Sequence, residues 1–183
     1  MRTDIKFTYR EYRALPETGP RYQLIEGELV LSPSPNFKHQ SILMYLGGEL
    51  YRFAKDRKLG TVCAAPLDVI LSDEDVCQPD IFFIAAARKH IISSEGVRGA
   101  PDLCIEILSP SNRDLDLETK RVIYARYGVT EYWIVDPDAD TILVYHLQDN
   151  PREPFKTLRG GDALSSLLLP DFTLAVSAVF AEA

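Results

Sequence analysis

The sequence predicts a mixed α/β (α+β) fold, in which a central mixed β-sheet is flanked by helices. Short apolar runs broken by prolines and small polar residues fill the middle of the 183-residue chain, a pattern typical of strands. Two longer segments, one before and one after most of these runs, carry apolar residues every three or four positions. This spacing is expected of amphipathic helices that cover a sheet.

The first third of the chain predicts a hairpin followed by a helix. Residues 21–31 place β-favouring residues on both sides of Glu26-Gly27, which predicts two short strands joined at the glycine. Residues 39–58 have apolar side chains at 42, 43, 46, 50 and 53, the rhythm of a helix that ends at Gly60. We also expect a short helix ahead of the hairpin.

The rest of the chain alternates predicted strands and helices. Four strands are expected at 61–65, 67–71, 80–84 and 102–108. A second helix is expected at 114–127, opened by the capping-box-like pair Ser111 and Asp114 and stopped by Gly128. Strands at 131–135 and 141–146 form a predicted hairpin, and the tail adds a strand or two and a terminal helix.

The chain length favours one domain, since domains average about 150 residues. We expect residues 1–183 to form this domain in three parts. A helix and a hairpin occupy 1–35, the core occupies 36–147, and strands and a helix complete the domain over 148–183.

Composition excludes several classes of protein. Hydrophobic residues make up 46% and charged residues 26% of the chain, which is globular and neither disordered nor collagen-like. The longest uncharged stretch, 172–181, has ten residues, about half of what a membrane-spanning helix needs. The N-terminus has no apolar secretory segment, so we expect a cytoplasmic protein without a membrane span. Cys63, Cys77 and Cys104 stand in apolar runs and are expected to be buried thiols.

The charge balance restricts how the protein could bind nucleic acid. Twenty basic residues against 27 acidic ones give a net charge of −7, so binding over the whole surface is not expected. Basic residues cluster on the first long helix, at Arg52, Lys55, Arg57 and Lys58. The cluster fits either a solvated helix face or a local contact with phosphates.

The second helix has a lysine where an apolar residue is expected. At 100° per residue, Lys120 lies in the middle of the face formed by Leu117, Ile123, Tyr124 and Tyr127. A lysine among apolar neighbours loses hydration free energy unless a carboxylate pairs with it. The sequence therefore predicts an acidic partner across the interface between this helix and the sheet.

Two acidic residues in predicted strands could supply that partner. Glu106 lies inside the apolar run Leu103-Cys-Ile-Glu-Ile-Leu108, and Asp80 opens an apolar run directly after Pro79. Charges in buried elements tend to mark functional sites. Two carboxylates can hold Mg²⁺ or Mn²⁺, and a lysine can orient water or stabilise an anionic transition state. We interpret Asp80, Glu106 and Lys120 as catalytic and the two acids as metal ligands for phosphodiester hydrolysis.

The ordered motifs also resemble a known family. Gln78-Pro-Asp80, the segment 99–110 around Glu106, Lys120 with Tyr124, and the segment 127–137 resemble the Uma-two restriction endonucleases of the PD-(D/E)xK nuclease superfamily. The similarity runs from about Tyr22 to His146. It implies a restriction-endonuclease-like sheet, a Mg²⁺- or Mn²⁺-dependent DNA endonuclease and pairing into a homodimer. The basic cluster, Arg88-Lys89 and Arg98 would then contact the DNA backbone around the cleft.

The resemblance assigns roles residue by residue. Asp80 corresponds to the acid of the PD motif and Glu106 to the acid of the E-x-K motif. Leu108 stands where that motif has its lysine, and the resemblance implies that the lysine has moved to the following helix, as Lys120. The helical-face argument reaches Lys120 independently.

Three further residues are weaker candidates. Many relatives carry an acid where this chain has Gln23, and Glu26 is either its substitute or a turn residue. His39 matches a histidine frequent in relatives, and it either contacts a phosphate or metal or is a polar residue at the helix N-terminus. Tyr124, one turn after Lys120, either packs over the site or hydrogen-bonds to it.

Two alternatives to a nuclease remain open. The same fold could be a catalytically inactive module that binds nucleic acid or protein, with the three charges kept as a buried salt-bridge network. Alternatively, the three charges could be unrelated surface residues. A converging arrangement in a cleft would exclude the second alternative.

Overall fold

The computed structural model describes residues 6–16 and 18–181. Its helices are α1 (Tyr9–Arg13), α2 (Phe37–Asp56), α3 (Arg121–Tyr127) and α4 (Val176–Phe180). Its strands are β1 (Arg21–Ile25), β2 (Glu28–Ser32), β3 (Gly60–Ala64), β4 (Val69–Ile70), β5 (Val76–Cys77), β6 (Ile81–Ala85), β7 (Ile92–Ser93), β8 (Gly96–Arg98), β9 (Leu103–Ile107), β10 (Glu131–Asp136), β11 (Thr141–His146), β12 (Lys156–Leu158), β13 (Ala163–Ser165) and β14 (Thr173–Ala175). A 3₁₀ turn spans Ala86–Ile91.

The strands form two mixed sheets and a small hairpin. The central sheet has the order β12-β11-β10-β9-β6-β3, in which β9 and β10 are parallel and the other neighbours are antiparallel. The outer sheet has the order β2-β1-β5-β4-β8-β7, and β13 pairs with β14. Mixed sheets flanked by helices confirm the predicted fold class.

The strand register brings two predicted site residues to adjacent positions. β6 and β9 run antiparallel, and Ile81 pairs with Ile105. One residue further along this register, Asp80 stands beside Glu106. The two carboxylates therefore meet at the end of the β6–β9 pairing, and both lie on the sheet face opposite to that of Ile81 and Ile105.

The two faces of the central sheet have different cores. One face carries Ile81, Phe83, Leu103 and Trp133, which pack in a single apolar cluster with α2 and the C-terminal elements. The other face carries Phe82, Cys104 and Ile134, which pack with α3 and strands of the outer sheet. The side-chain alternation of each strand separates these clusters.

Several predicted elements are confirmed with small shifts of their ends. The hairpin β1–β2 turns at Glu26 (φ 52°) and Gly27 (φ 82°), the positive angles that a two-residue turn requires. The first long helix begins two residues before its predicted start, capped by Asn36, whose side chain accepts a hydrogen bond from the His39 amide. Gly128 ends α3 with φ of 89°.

The start of the second predicted helix differs from the prediction. Residues Leu115–Lys120 form a π-helix that continues into α3, and Asp114 makes no side-chain capping bond. The predicted capping box is therefore wrong. The wider turn moves side chains away from positions calculated at 100° per residue, and such turns are frequent at functional sites.

The middle strands also divide differently from the prediction. Residues 61–65 and 80–84 correspond to β3 and β6 of the central sheet, but 67–71 shrinks to β4 in the outer sheet. Among the cysteines, Cys77 and Cys104 are buried thiols as predicted, whereas Cys63 is only half-buried. The cysteines are free in the described chain.

In the described part of the chain, the helices are too short or too polar to cross a membrane. The predicted N-terminal part, 1–35, and C-terminal part, 148–183, include residues 1–5, 17, 182 and 183, which lie outside the described residues.

Candidate active site

A cleft of about 250 Å³ opens above the end of the β6–β9 pair. Its lining includes the loop before α2 (33–36) and the loop after β9 (109–112). The residues that line it include Gln23, Asn36, His39, Asp80, Glu106, Ser109, Ser111, Asp116 and Lys120. The cleft therefore collects side chains from the hairpin, from both long helical segments and from the central sheet.

Asp80 is fixed by two groups that approach the same oxygen. Its Oδ2 accepts a hydrogen bond from the Ile107 amide at 2.7 Å and lies 3.1 Å from His39 Nε2. Its side chain is 18% exposed, the largest exposure among the acids at the cleft floor. With Oδ2 held by the protein, Oδ1 is the oxygen left to bind a ligand in the cleft.

Glu106 is buried beneath Asp80 and faces the second helical segment. Its Oε1 accepts hydrogen bonds from Lys120 Nζ at 2.9 Å and from the Tyr124 hydroxyl at 2.7 Å. Its Oε2 lies 3.4 Å from the Asp80 amide, a long contact. The acidic partner predicted for Lys120 is therefore Glu106, and Tyr124 hydrogen-bonds to the site.

Asp116 is a fourth charged residue that the sequence interpretation missed. Its Oδ1 lies 2.9 Å from Lys120 Nζ, and both side chains are at most 5% exposed. The sequence did carry a signal, because an acid four residues before a lysine shares its helix face. Such pairs usually lie on solvated surfaces, so the spacing alone did not indicate a buried pair.

Burial and mutual charge shift the titration of this cluster. Burial raises the pKa of Glu106 to about 8; Lys120 opposes this shift, while the negative charges of Asp116 and Asp80 add to it. Burial likewise raises the pKa of Asp116. Burial works against a charged Lys120, but Asp116 and Glu106 outweigh it and raise the lysine pKa well above its ordinary value. The ammonium is therefore charged, and the carboxylates repel one another.

His39 contacts an acid of the cluster from the first turn of α2. Burial disfavours its protonated form, but the hydrogen bond and charge of Asp80 raise the His39 pKa. The Nδ1 atom is buried and has no hydrogen-bond partner among the described residues. The structure thus places His39 against Asp80, and the imidazole orients that carboxylate.

Of two other positions considered from the sequence, Glu26 lies outside the cleft and Gln23 hydrogen-bonds to the backbone. Glu26 sits in the β1–β2 turn, where it forms an exposed ion pair with Arg126 at 3.0 Å, outside the cleft. Gln23 does line the cleft, but its Oε1 accepts a hydrogen bond from the Gln78 amide at 2.9 Å. Gln23 therefore holds the backbone at Gln78, two residues before Asp80.

The basic residues expected around the cleft lie elsewhere. The cleft is at the N-terminal end of α2, and Arg52 is 13 residues beyond His39 (52 minus 39), which is about 20 Å of helix. Arg88 pairs with Asp102, and Arg98 pairs with Glu95. None of these groups is among the residues that line the cleft, so their contact with a DNA backbone around it stays a prediction. Arg21, at the start of β1, does line the cleft.

The cleft floor fits a divalent cation. When the three carboxyl groups of this cluster are ionised, they outnumber the single ammonium, so negative charge is in excess. Within residues 6–16 and 18–181, no three His, Cys, Asp or Glu side chains already form a cage for an ion. Mg²⁺ usually binds one or two carboxylates and completes its shell with water and substrate oxygens. Asp80 and Glu106 supply oxygen ligands of that kind.

Comparisons with known proteins identify the family and the fold of the chain. The family described as "Uma2: Putative restriction endonuclease" matches residues 9–177. A crystal structure of a putative nuclease belonging to DUF820 from Anabaena variabilis superposes with a TM-score of 0.80 at 23% identity. The match covers 96% of this chain and 98% of that one, which establishes the shared fold. No curated protein matches the chain in sequence. Since the family match spans nearly the whole described chain, the protein belongs to the Uma2 family of putative restriction endonucleases.

Proposed function

We propose that the protein is a metal-dependent DNA endonuclease that hydrolyses phosphodiester bonds in the cleft above β6 and β9. The observation that carries this proposal is the convergence of Asp80, Glu106 and Lys120 from three separate elements of the fold. Buried charges of this kind cost stability, so their convergence at an open cleft favours a chemical role.

The residues of the chain divide the work of hydrolysis. Asp80 and Glu106 would hold Mg²⁺ or Mn²⁺, and such an ion lowers the pKa of bound water and offsets phosphate charge. Lys120 presents a fixed ammonium beside Glu106, which suits it to align water or to neutralise the pentacovalent phosphate. His39 holds the Asp80 carboxylate in one orientation, and Tyr124 does the same for Glu106.

A second candidate function is an inactive module that binds nucleic acid or protein. One observation favours it: the side chains of Lys120 and Glu106 are 3% and 2% exposed and already satisfy each other. A closed salt-bridge network needs no ion. Such a module would bind its partner without metal, and Lys120→Ala would lower stability while leaving that affinity nearly intact.

The proposal also covers where the protein acts and whether two chains pair. We place the activity in the cytoplasm on DNA. We also propose that two chains pair, which would bring two clefts to opposite strands and allow both to be cut. Sedimentation of the protein with and without a DNA duplex measures this pairing, and a chain that stays monomeric in both conditions contradicts it.

A plasmid-cleavage assay separates the two candidate functions. Supercoiled DNA is incubated with the protein and Mg²⁺, Mn²⁺ or a chelator, with Lys120→Ala beside the unchanged chain. A matched control is Lys55→Ala, which removes a lysine at the far end of α2, near Tyr51. The nuclease proposal expects metal-dependent nicking that a folded Lys120→Ala protein has lost and that Lys55→Ala keeps. Nicking by Lys120→Ala at the normal rate, or no nicking by the unchanged chain, contradicts it.

A further inference from the structure

The Lys120 ammonium is divided between two carboxylates. Lys120 Nζ lies 2.9 Å from Glu106 Oε1 and 2.9 Å from Asp116 Oδ1. When both carboxyl groups are ionised, as a bound cation requires of Glu106, the charges of these three groups sum to −1, because two carboxylates meet one ammonium. If Asp116 were absent, Lys120 and Glu106 would form a neutral pair.

The backbone holds Asp116 in this position. The Asp116 carbonyl accepts a hydrogen bond from the buried Tyr132 hydroxyl at 2.9 Å, and its amide donates to the Asn112 carbonyl at 3.0 Å. The residue lies in the π-helical turn that also contains Lys120. Both side chains are buried, so solvent does not weaken their ion pair as it does on an exposed helix.

We infer that Asp116 is a positioning residue that draws Lys120 away from an exclusive pair with Glu106 and so keeps the Glu106 carboxylate available to a divalent cation. The inference rests on the proposed function, because it assumes that Asp80 and Glu106 hold the ion. Asp116 acts through Lys120 and does not need to touch the ion. Partners of this kind, one step removed from a metal ligand, commonly change metal affinity.

Mn²⁺ affinity, measured by electron paramagnetic resonance or calorimetry, tests the inference without relying on cleavage. Asp116→Asn is expected to weaken Mn²⁺ binding roughly 10- to 100-fold, because the full charge of Lys120 then falls on Glu106. Asp114→Asn is the matched control. It removes an equal charge from an exposed acid two residues earlier, and it should leave the affinity within about twofold, because solvent screens exposed charges.

A double variant shows whether Asp116 acts through the lysine. Lys120→Gln keeps a hydrogen-bond donor for the buried carboxylates but removes the charge. In this background, Asp116→Asn is expected to change Mn²⁺ affinity much less than in the unchanged chain. Circular dichroism and thermal unfolding establish that each variant is folded before the ion is added.

Three outcomes would overturn the inference, and one of them would also overturn the proposed function. An unchanged Mn²⁺ affinity in folded Asp116→Asn overturns the inference and leaves the proposed nuclease intact. Equal effects of Asp116→Asn with and without the Lys120 charge also overturn it, because Asp116 would then act on the ion directly. An unchanged chain that binds no Mn²⁺ overturns the proposed function and this inference with it.

Discussion

The two faces of strand β9 serve different purposes. On one face, Leu103, Ile105 and Ile107 join the apolar cluster beneath α2. On the other face, Glu106 stands between Cys104 and Leu108 and meets a lysine and a tyrosine from the α3 segment. Both faces are almost completely buried, so burial alone does not distinguish them.

The difference between the faces is one of energetics. Apolar burial stabilises the fold by about 25 cal/mol per Å². Burying carboxylates and an ammonium costs hydration free energy, which their mutual attraction only partly returns. Apolar packing therefore stabilises the sheet on both faces, while the buried charges beside Glu106 lower the net stability on one of them. Changes on the two faces are expected to separate stability from activity.

Removing the ammonium from the charged face is expected to have the largest effect. Lys120→Ala leaves Glu106 and Asp116 buried without a cation and should lower the free energy of unfolding by about 3–5 kcal/mol. Urea denaturation measures this loss, with the exposed Lys55→Ala as the control. A loss below about 1 kcal/mol would contradict the claim that these charges are buried from water.

Truncating a side chain on the apolar face should lower stability and leave cleavage unchanged. Ile105 is fully buried, and Ile105→Ala is expected to lower the free energy of unfolding by about 2–5 kcal/mol through a cavity. Cleavage per folded molecule should stay the same, because the side chain points away from the cleft. Urea denaturation together with the plasmid assay checks both parts. A folded Ile105→Ala protein that has lost cleavage would contradict the separation of the faces.

The charged face also predicts a pH dependence of stability in the absence of added metal. The Glu106 pKa is raised from 4.5 to about 8, so the folded protein binds a proton there that the unfolded chain releases. The contribution of Glu106 to stability should therefore be fully present below its ordinary pKa of 4.5 and should be lost as pH rises through about 8. Thermal unfolding from pH 5 to 8 measures this slope. Glu106→Gln should flatten it, and an unchanged slope in that variant would assign it to other groups.

A smaller effect is expected from the tyrosine that contacts Glu106. Tyr124→Phe removes one hydrogen bond to the carboxylate and keeps the ring, so it should cost about 1 kcal/mol of stability. The Glu106 pKa should rise further, since this hydrogen bond opposes the effect of burial. Thermal unfolding and the pH slope of the variant test both statements. A variant as stable as the unchanged chain would indicate that the hydroxyl contributes only to packing.

The sequence predicted most of the framework and part of the cleft. Alternation and turn residues were sufficient for the β1–β2 hairpin and for most central strands, because local patterns specify them. Lys120 was recognisable because a charge on an apolar helix face breaks a local rule. Asp116 was not, since its burial depends on the π-helical turn and on Tyr132, a residue distant in sequence.

The basic cluster shows the same limit of sequence-based prediction over a longer distance. Arg52 and Lys55 lie on α2 as predicted, whereas Arg57 and Lys58 follow its end, and the distance of the cluster from the cleft depends on where the N-terminus of that helix meets the sheet. Helix periodicity gives the face of a residue and not the end of the helix that lies beside a site. Likewise, the ion pair of Arg88 with Asp102 joins residues that no local pattern connects.

Asp80→Asn provides the most direct test of the claim that the charged face is a catalytic centre. Asp102→Asn is the matched control, because Asp102 is another buried acid beside the central sheet, bonded to the Ala85 amide and Arg88. In the Mn²⁺-dependent plasmid assay, folded Asp80→Asn is expected to cleave at least about a hundredfold more slowly than the unchanged chain, and folded Asp102→Asn at nearly the normal rate. Equal cleavage by Asp80→Asn and the unchanged chain would contradict the account.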